Sequence, residues 1–492
     1  MLNLIEDHGK VAVIDIGSNS LRFVIFDRYG RYPYPLFNER ITCRLGDGVQ
    51  KTKKLKKERI EQSLETIMRF SNIINEAGLE KVLVIGTAAL RQAENSDAFI
   101  KPAEEILNTK IRILSGVEEA DLVARGLVFN IPLANGIIAD LGGGSLELIK
   151  VQNGKKIETI SLNYGHLIEI DEKKFKKIIK KLNWENGLDD QFFYGVGGSF
   201  RALGLVFKHK NKYPLDILHG LNISSKKANR ILNKIIKLNG DVKGLPQSRK
   251  ATMSNAAKIM RVVLKGTKSK NIFVCGTSVR EGVVLENLSI RSIKHDPLIS
   301  TCEEIAKQSV RFQGLSNSLE KLLLPILSIG NKDELSRLLK ASCLMADIAW
   351  NEHTSFRNVI AAEKILLLPT NSLTHRERAW LAKTLFHRYN RPVELVKFPF
   401  KFKSILSIED KFTSLIIGLS LRFAMAACAG LPDLLDNLKF DLTEKQLKVS
   451  FNKNTKSLLV DHVYEKLNIP VSYTHLRAHE TSLHLVCRLL LE

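Results

Sequence analysis

The 492-residue chain carries 74 Lys+Arg against 52 Asp+Glu, a net charge of +22, with 44% hydrophobic and 26% charged residues. That composition excludes general disorder and low complexity, and the length leaves room for roughly two to four domains. The positive excess suits anionic partners such as nucleic acid, anionic lipid or polyphosphorylated ligands, and is equally what a lysine-rich composition alone would give.

In chain order, an apolar run at 11–14 ends at Asp15, a second run covers 21–26, and Arg28-Tyr-Gly30 reads as a turn. Residues 57–77 read as an amphipathic helix, because Ile60, Leu64, Ile67 and Ile74 recur near the helical period and Gly78 suits a C-terminal cap. Strands are expected at 81–85 and 111–114, and a helix over 118–129. A second block repeats the pattern: a strand at 137–140 ending in Asp140, the glycines Gly142, Gly143 and Gly144, a strand at 146–151, and the hairpin signal Asn153-Gly154. Two lysine-rich stretches locate part of the charge. Lys51–Lys57 is read as opening the first long helix, and 173–181 as a helix with Phe175, Ile178, Ile179 and Leu182 on its apolar side. Solvated lysine faces account for both; a basic track for a long polyanion is the sharper alternative. From about 297 to 430 helical periodicity dominates. The apolar stretch 412–430, interrupted by Gly418 and Arg422, reads as a buried helix rather than a membrane span. Alternation at Leu438, Phe440, Leu442 and at Leu447, Val449, Phe451 predicts a small hairpin.

The cysteines Cys43, Cys275, Cys302, Cys343, Cys428 and Cys487 form no C-x-x-C pair, so neither a disulfide framework nor a structural zinc site is expected. With no apolar leader in the first ten residues, a cytoplasmic location is the expectation.

Asp15-Ile-Gly-Ser-Asn-Ser20 and Asp140-Leu-Gly-Gly-Gly-Ser145 share one design: strand, acid, Gly-rich turn, Ser, second strand. Glycines let backbone N–H groups approach an anion, and a nearby acid can hold Mg²⁺. A pair of tight hairpins is the plain alternative. No G-x-x-x-x-G-K-S/T occurs, which excludes a P-loop. The internal similarity predicts two related α/β domains facing each other.

Six motifs then follow in order: Val13-Ile-Asp-Ile-Gly-Ser-Asn-Ser-Leu-Arg22, Gly86-Thr-Ala-Ala-Leu-Arg91, Ser115-Gly-Val-Glu-Glu-Ala120, Asp140-Leu-Gly-Gly-Gly-Ser-Leu-Glu147, Gly195-Val-Gly-Gly-Ser199 and Gly276-Thr-Ser-Val-Arg-Glu-Gly282. On these motifs the chain resembles the exopolyphosphatase / guanosine pentaphosphate phosphohydrolase (Ppx/GppA) family, strongly over about 10–290 and weakly to about 430. The resemblance implies two actin/Hsp70/sugar-kinase-like (ribonuclease H-like) α/β domains, at 1–130 and 131–296, and a mainly helical, HD-like C-terminal domain at 297–470. It implies Glu119 as general base, with Asp140 and Glu147 as catalytic acids that hold Mg²⁺. Asp15, Gly17, Ser18 and Asn19 would form the first phosphate loop, and Gly143, Gly144 and Ser145 would bind the terminal phosphoryl group. Arg91 would grip its equatorial oxygens. The implied activity is release of terminal orthophosphate from inorganic polyphosphate by a homodimeric enzyme; hydrolysis of guanosine pentaphosphate uses the same loops and stays open. Less favoured are a small-molecule kinase of the same fold and a non-catalytic polyphosphate or alarmone sensor.

Two departures from the family pattern stand out. Gly197-Gly-Ser199 has Ser where Thr is common, and Ala346-Asp347 stands where a metal-binding HD domain would carry His-Asp. A metal site there is not expected, and His353, His375 and His387 are read as ordinary helix or loop residues. Residues 471–492 back-translate in one frame into two stretches resembling a sequencing adapter, and are read as adapter read-through rather than native protein.

Overall fold

The computed structural model describes residues 9–28, 33–184, 192–286, 295–329, 332–389, 404–442 and 447–451, with 460 and 463. The predicted turn at Tyr29-Gly30 and the stretch 471–492 lie outside them. The chain divides into two compact units, Met1–Pro297 and Leu298–Glu492.

The first unit contains two mixed sheets. One comprises β1 (Val11–Ile16), β2 (Leu21–Phe26), β3 (Pro35–Ile41), β4 (Lys81–Gly86) and β5 (Ile111–Ile113), in the order β3-β2-β1-β4-β5. The other comprises β6 (Gly136–Leu141), β7 (Leu146–Gln152), β8 (Lys155–Leu162), β9 (Phe192–Val196), β10 (Leu221–Ser224) and β11 (Asn271–Val274), in the order β10-β11-β9-β6-β7-β8. In each sheet two antiparallel hairpin pairings lead to a first strand that runs parallel to its other neighbour. Apart from the antiparallel edge strand β10, the second sheet therefore repeats the first. This duplication is the physical form of the internal sequence similarity.

Strand alternation sorts the two faces. Ala12, Ile14 and Ile16 join the core under the helices Lys57–Glu76 and Asp97–Leu107, while Val11 and Val13 pack on the opposite face with Val24, Phe26 and Val284. In the second sheet Ile137, Ala139 and Leu141 face a core that includes helix Lys250–Gly266, whereas Ile138, Ile149 and Val151 pack against helix Gly116–Asn130. Helices Gly116–Asn130 and Val279–Glu286 pack on each other. Their approach requires Gly282, because a Cβ there would stand 2.0 Å from the Leu122 carbonyl oxygen.

The Asn153-Gly154 turn forms as predicted, both residues having positive φ (48° and 71°), the type I′ conformation that matches strand twist. The long helix ends at Glu76 with Gly78 at φ 59°. One expectation is corrected. The lysine run 51–57 does not open that helix: a short helix, Val49–Thr52, stops where Lys53 takes a left-handed conformation (φ 54°), Leu55 turns into the core, and the long helix starts at Lys57.

The second unit is mainly helical, with Leu315–Leu323, Arg357–Leu366, His375–Tyr389 and Ile408–Cys428 among its helices. The last is long and apolar enough to cross a membrane, but most of it is buried in protein. Leu438–Leu442 and Leu447–Phe451 pair as the expected two-stranded hairpin.

Candidate active site

Each hairpin carries a row of functional side chains across its sheet. On β1, Asp15 lies two and four residues beyond Val13 and Val11 and shares their face. Its cross-strand partner on β2 is Arg22, whose own partner on β3 is Arg40. On β6 the equivalent Asp140 is opposite Glu147 of β7, which is opposite Ser161 of β8. The two turns close alike: the Gly17 N–H donates to the Ser20 carbonyl at 3.2 Å, and the Gly142 N–H to the Ser145 carbonyl at 3.0 Å. They also meet, since a Cβ on Gly143 would stand 3.0 Å from Cβ of Ser18. Of the predicted residues, Gly143 and Gly144 thus lie against Ser18 and Asn19, while Gly17 and Ser145 close their own turns.

Glu119 enters from the start of helix Gly116–Asn130. Ser115 caps that helix in a reciprocal box with Glu118, and Glu118 stays outside, 3.2 Å from Arg112. The next residue, Glu119, turns inward and is 9% exposed. Arg91, on the short helix Ala88–Gln92, donates through Nη1 to the Leu114 carbonyl at 2.5 Å and to Glu119 Oε2 at 3.3 Å. Glu147, 1% exposed, accepts a 3.2 Å hydrogen bond from Ser161 at Oε1. Its Oε2 is buried with no partner.

Burial and mutual repulsion decide the acidity here. Burial pushes the Glu119 carboxyl up to about 7, with Arg91 opposing and Asp140 adding to the rise. Burial likewise raises Asp140 to about 6, against the pull of Arg201. Glu147 is held well above the ordinary range, first by burial and then by Glu119 and Asp140. Among the described residues no three acid, His or Cys side chains already form a metal cage. The groups that could hold a hard cation are Asp140 and Glu147, whose orphaned oxygen is a ligand in waiting. A Mg²⁺ ion ordinarily completes its shell with water and ligand oxygens, so two carboxylates suffice.

The opposite charge is concentrated nearby. Arg280, on the inter-sheet helix Val279–Glu286, pairs with Asp15 at 2.7 Å. Burial, with Arg280 and Arg201 close by, lowers Arg22 to about 10. Burial lowers Arg249 to about 10 as well, assisted by Arg40 and Arg201. Burial and then Arg280 lower Arg201. Cations that depress one another are held ready for an anion. The sequence reading assigned none of Arg22, Arg40, Arg201, Arg249 and Arg280. Arg22 and Arg280 stand inside recognised motifs and Arg201 two residues after one. Nothing local marks Arg40 or Arg249. Gly197, at φ 91°, lets the backbone approach Asp140, because a Cβ would lie 2.7 Å from its Oδ1.

The model of the Ppx/GppA phosphatase family matches residues 24–290, and that of the exopolyphosphatase C-terminal domain matches 298–474. A bifunctional 3-dehydroquinate synthase/phosphatase from Fusobacterium nucleatum is 29% identical over 309 residues, 56% of this chain and 46% of its own. A guanosine-5'-triphosphate,3'-diphosphate pyrophosphatase from Photobacterium profundum is 23% identical over 333 residues, 63% of this chain and 66% of its own. The chain thus spans about half to two thirds of the length of these curated relatives. The crystal structure of an exopolyphosphatase from Cytophaga hutchinsonii aligns with a TM-score of 0.51 at 22% identity, over 57% of this chain and 99% of that one, which establishes a shared fold.

Proposed function

The chain belongs to the Ppx/GppA phosphatase family, and from that premise we propose that it is an exopolyphosphatase, releasing orthophosphate from the end of inorganic polyphosphate. The observation that carries this reading is the junction of the two Gly-rich turns, with the acids Glu119, Asp140 and Glu147 beside a group of arginines. Water is activated on the acidic side and an extended polyanion is gripped on the basic side.

In this mechanism the terminal phosphoryl group sits against the N–H groups of Gly143, Gly144 and Ser145. Arg91 holds its equatorial oxygens and also orients Glu119. Glu119 takes a proton from the attacking water, whose oxygen bonds to the terminal phosphorus as the bond to the bridging oxygen breaks. The transition state spreads charge over three equatorial oxygens, so preorganised donors supply most of the rate. The remaining chain departs along the Arg22, Arg40, Arg201 and Arg249 side. Bound by Asp140 and Glu147, directly or through water, Mg²⁺ would neutralise charge on the leaving oxygens.

A second reading is hydrolysis of the terminal phosphate of guanosine pentaphosphate, supported by the name of the Photobacterium profundum relative. The +22 charge and the arginine group favour the polymer. The helical unit is read as an HD-like domain without a metal pair, since Asp347 is engaged by Arg311. The protein is proposed to be a homodimer in the cytoplasm, and for the compartment the free, buried thiols Cys43, Cys275, Cys343 and Cys428 suit a reducing environment. The test measures phosphate release from long polyphosphate and from guanosine pentaphosphate with Mg²⁺, in wild type and Glu119→Gln. Faster release from the polymer, lost in the variant, is expected; preference for the nucleotide would replace the first reading by the second.

A further inference from the structure

The helix Ile408–Cys428 is the most apolar long segment of the second unit, yet it carries Arg422 between the buried Leu421 and Phe423. Arg422 is 7% exposed, and its Nε and Nη2 are buried without a partner. Burying a guanidinium with unmet donors is strongly unfavourable unless a negative group compensates it. The neighbouring cation makes this worse. Burial and then Arg388 lower Arg422 to about 10. Arg388, at the end of the adjacent helix His375–Tyr389, is 11% exposed and has its own Nε buried without a partner.

The carboxylate beside Arg388 is already committed. Asp347, 2% exposed, accepts from Arg311 through both Nε (3.1 Å) and Nη2 (3.0 Å), and lies 3.8 Å from Arg388. Tyr389 is engaged as well, donating to the Ala346 carbonyl at 2.8 Å and accepting from the Ala349 N–H at 3.2 Å. The Arg388 guanidinium carbon lies 4.3 Å from the Tyr389 ring centre. Among the described residues, the guanidiniums of Arg311 and Arg388 thus share the Asp347 carboxylate, and Arg388 Nε, Arg422 Nε and Arg422 Nη2 stay buried and unsatisfied.

We propose that the helical unit holds a compact tetrahedral oxyanion of the phosphate type between Arg388 and Arg422, at a site separate from the hydrolytic centre. One such ion supplies both the missing charge and the missing acceptors, and guanidinium forks match its oxygens in spacing and plane. The burial of both arginines selects a small ion over the middle of a polymer. The ion is free orthophosphate or the terminal phosphoryl group of a longer chain, two sources of one chemistry. This inference rests on Arg388 and Arg422 and does not depend on the substrate proposed above.

Isothermal titration of the full-length protein with inorganic phosphate tests it, using wild type, Arg422→Met, Arg422→Lys and Glu119→Gln. Arg422→Met keeps side-chain bulk while removing charge and donors; Arg422→Lys keeps charge and serves if the first variant misfolds. The expected result is phosphate binding weakened roughly tenfold or more by either Arg422 change, the loss appropriate to charge-assisted hydrogen bonds, in the wild-type and Glu119→Gln backgrounds alike. Tripolyphosphate added in the Glu119→Gln background then separates the sources. Binding unaffected by Arg422→Met identifies free orthophosphate, and a parallel loss identifies a chain end, each in support of the site. Coincident phosphate isotherms for wild type and the folded Arg422 variants would overturn it, as would absence of phosphate binding by wild type. Hydrolysis by the Arg422 variants, measured separately, leaves the assignment of Glu119 to be judged on its own.

Discussion

The rows Asp15–Arg22–Arg40 and Asp140–Glu147–Ser161 occupy equivalent places in two sheets of the same strand order. Both begin with an acid at the end of a first strand, and both turns close with a Gly N–H to a Ser carbonyl. They differ at the middle and third positions, Arg22 and Arg40 in one row against Glu147 and Ser161 in the other. Those differences reverse the local field. Asp15 pairs with Arg280 and sits among arginines, whereas Asp140 raises Glu119, and Glu119 and Asp140 together raise Glu147. On the function proposed above, a duplicated scaffold is divided into a side that grips anions and a side that handles a proton and a cation.

Predictions can break or sharpen that division. The largest effect is expected for Glu119→Gln, which removes the proposed base: kcat should fall by at least roughly a hundredfold, as measured by phosphate release with saturating polyphosphate. Full retained activity would end the assignment. Next is pH. A base with a carboxyl near 7 works only when ionised, so kcat/KM should fall about tenfold per unit as pH drops below about 7. A rate flat from pH 5 to 8 would contradict the raised Glu119 pKa.

The smallest effect concerns stability. A carboxyl whose folded pKa is raised binds its proton more tightly folded than unfolded, so the folded state loses stability as pH rises from the unfolded value of about 4.3 through the folded one. Glu119 and Glu147 both work in this direction. Glu147→Gln should therefore stabilise the protein at neutral pH by about 1 kcal/mol while slowing it, as a strained functional site predicts. Thermal unfolding in Mg²⁺-free buffer checks this, and a lower melting temperature in the variant would count against it. In the first row, Arg22→Gln should show no such gain from relieved acid repulsion.

Much of this was legible in local sequence, because local chemistry fixes it. Asn153-Gly154 needs two positive φ values, and Ser115 with Glu118 closes a capping box that turns Glu119 inward. What escaped depends on distance in space. β3 brings Arg40 beside Arg22 through residues whose exposure merely alternates, and Arg249 reaches the site from a three-residue 3-10 turn, Gln247–Arg249, with no motif. The lysines at 51–57 misled for the opposite reason: helical composition was overridden by a left-handed Lys53 and a buried Leu55.

The division of labour is tested most directly by the Michaelis parameters of two single variants at the equivalent middle positions, Arg22→Gln and Glu147→Gln, with long polyphosphate and Mg²⁺. Contacts made equally in ground and transition states appear in KM, and those that mature only in the transition state appear in kcat. Arg22→Gln should raise KM about tenfold with kcat nearly unchanged, and Glu147→Gln should lower kcat about tenfold or more with KM nearly unchanged. Both variants changing the same parameter would contradict the account.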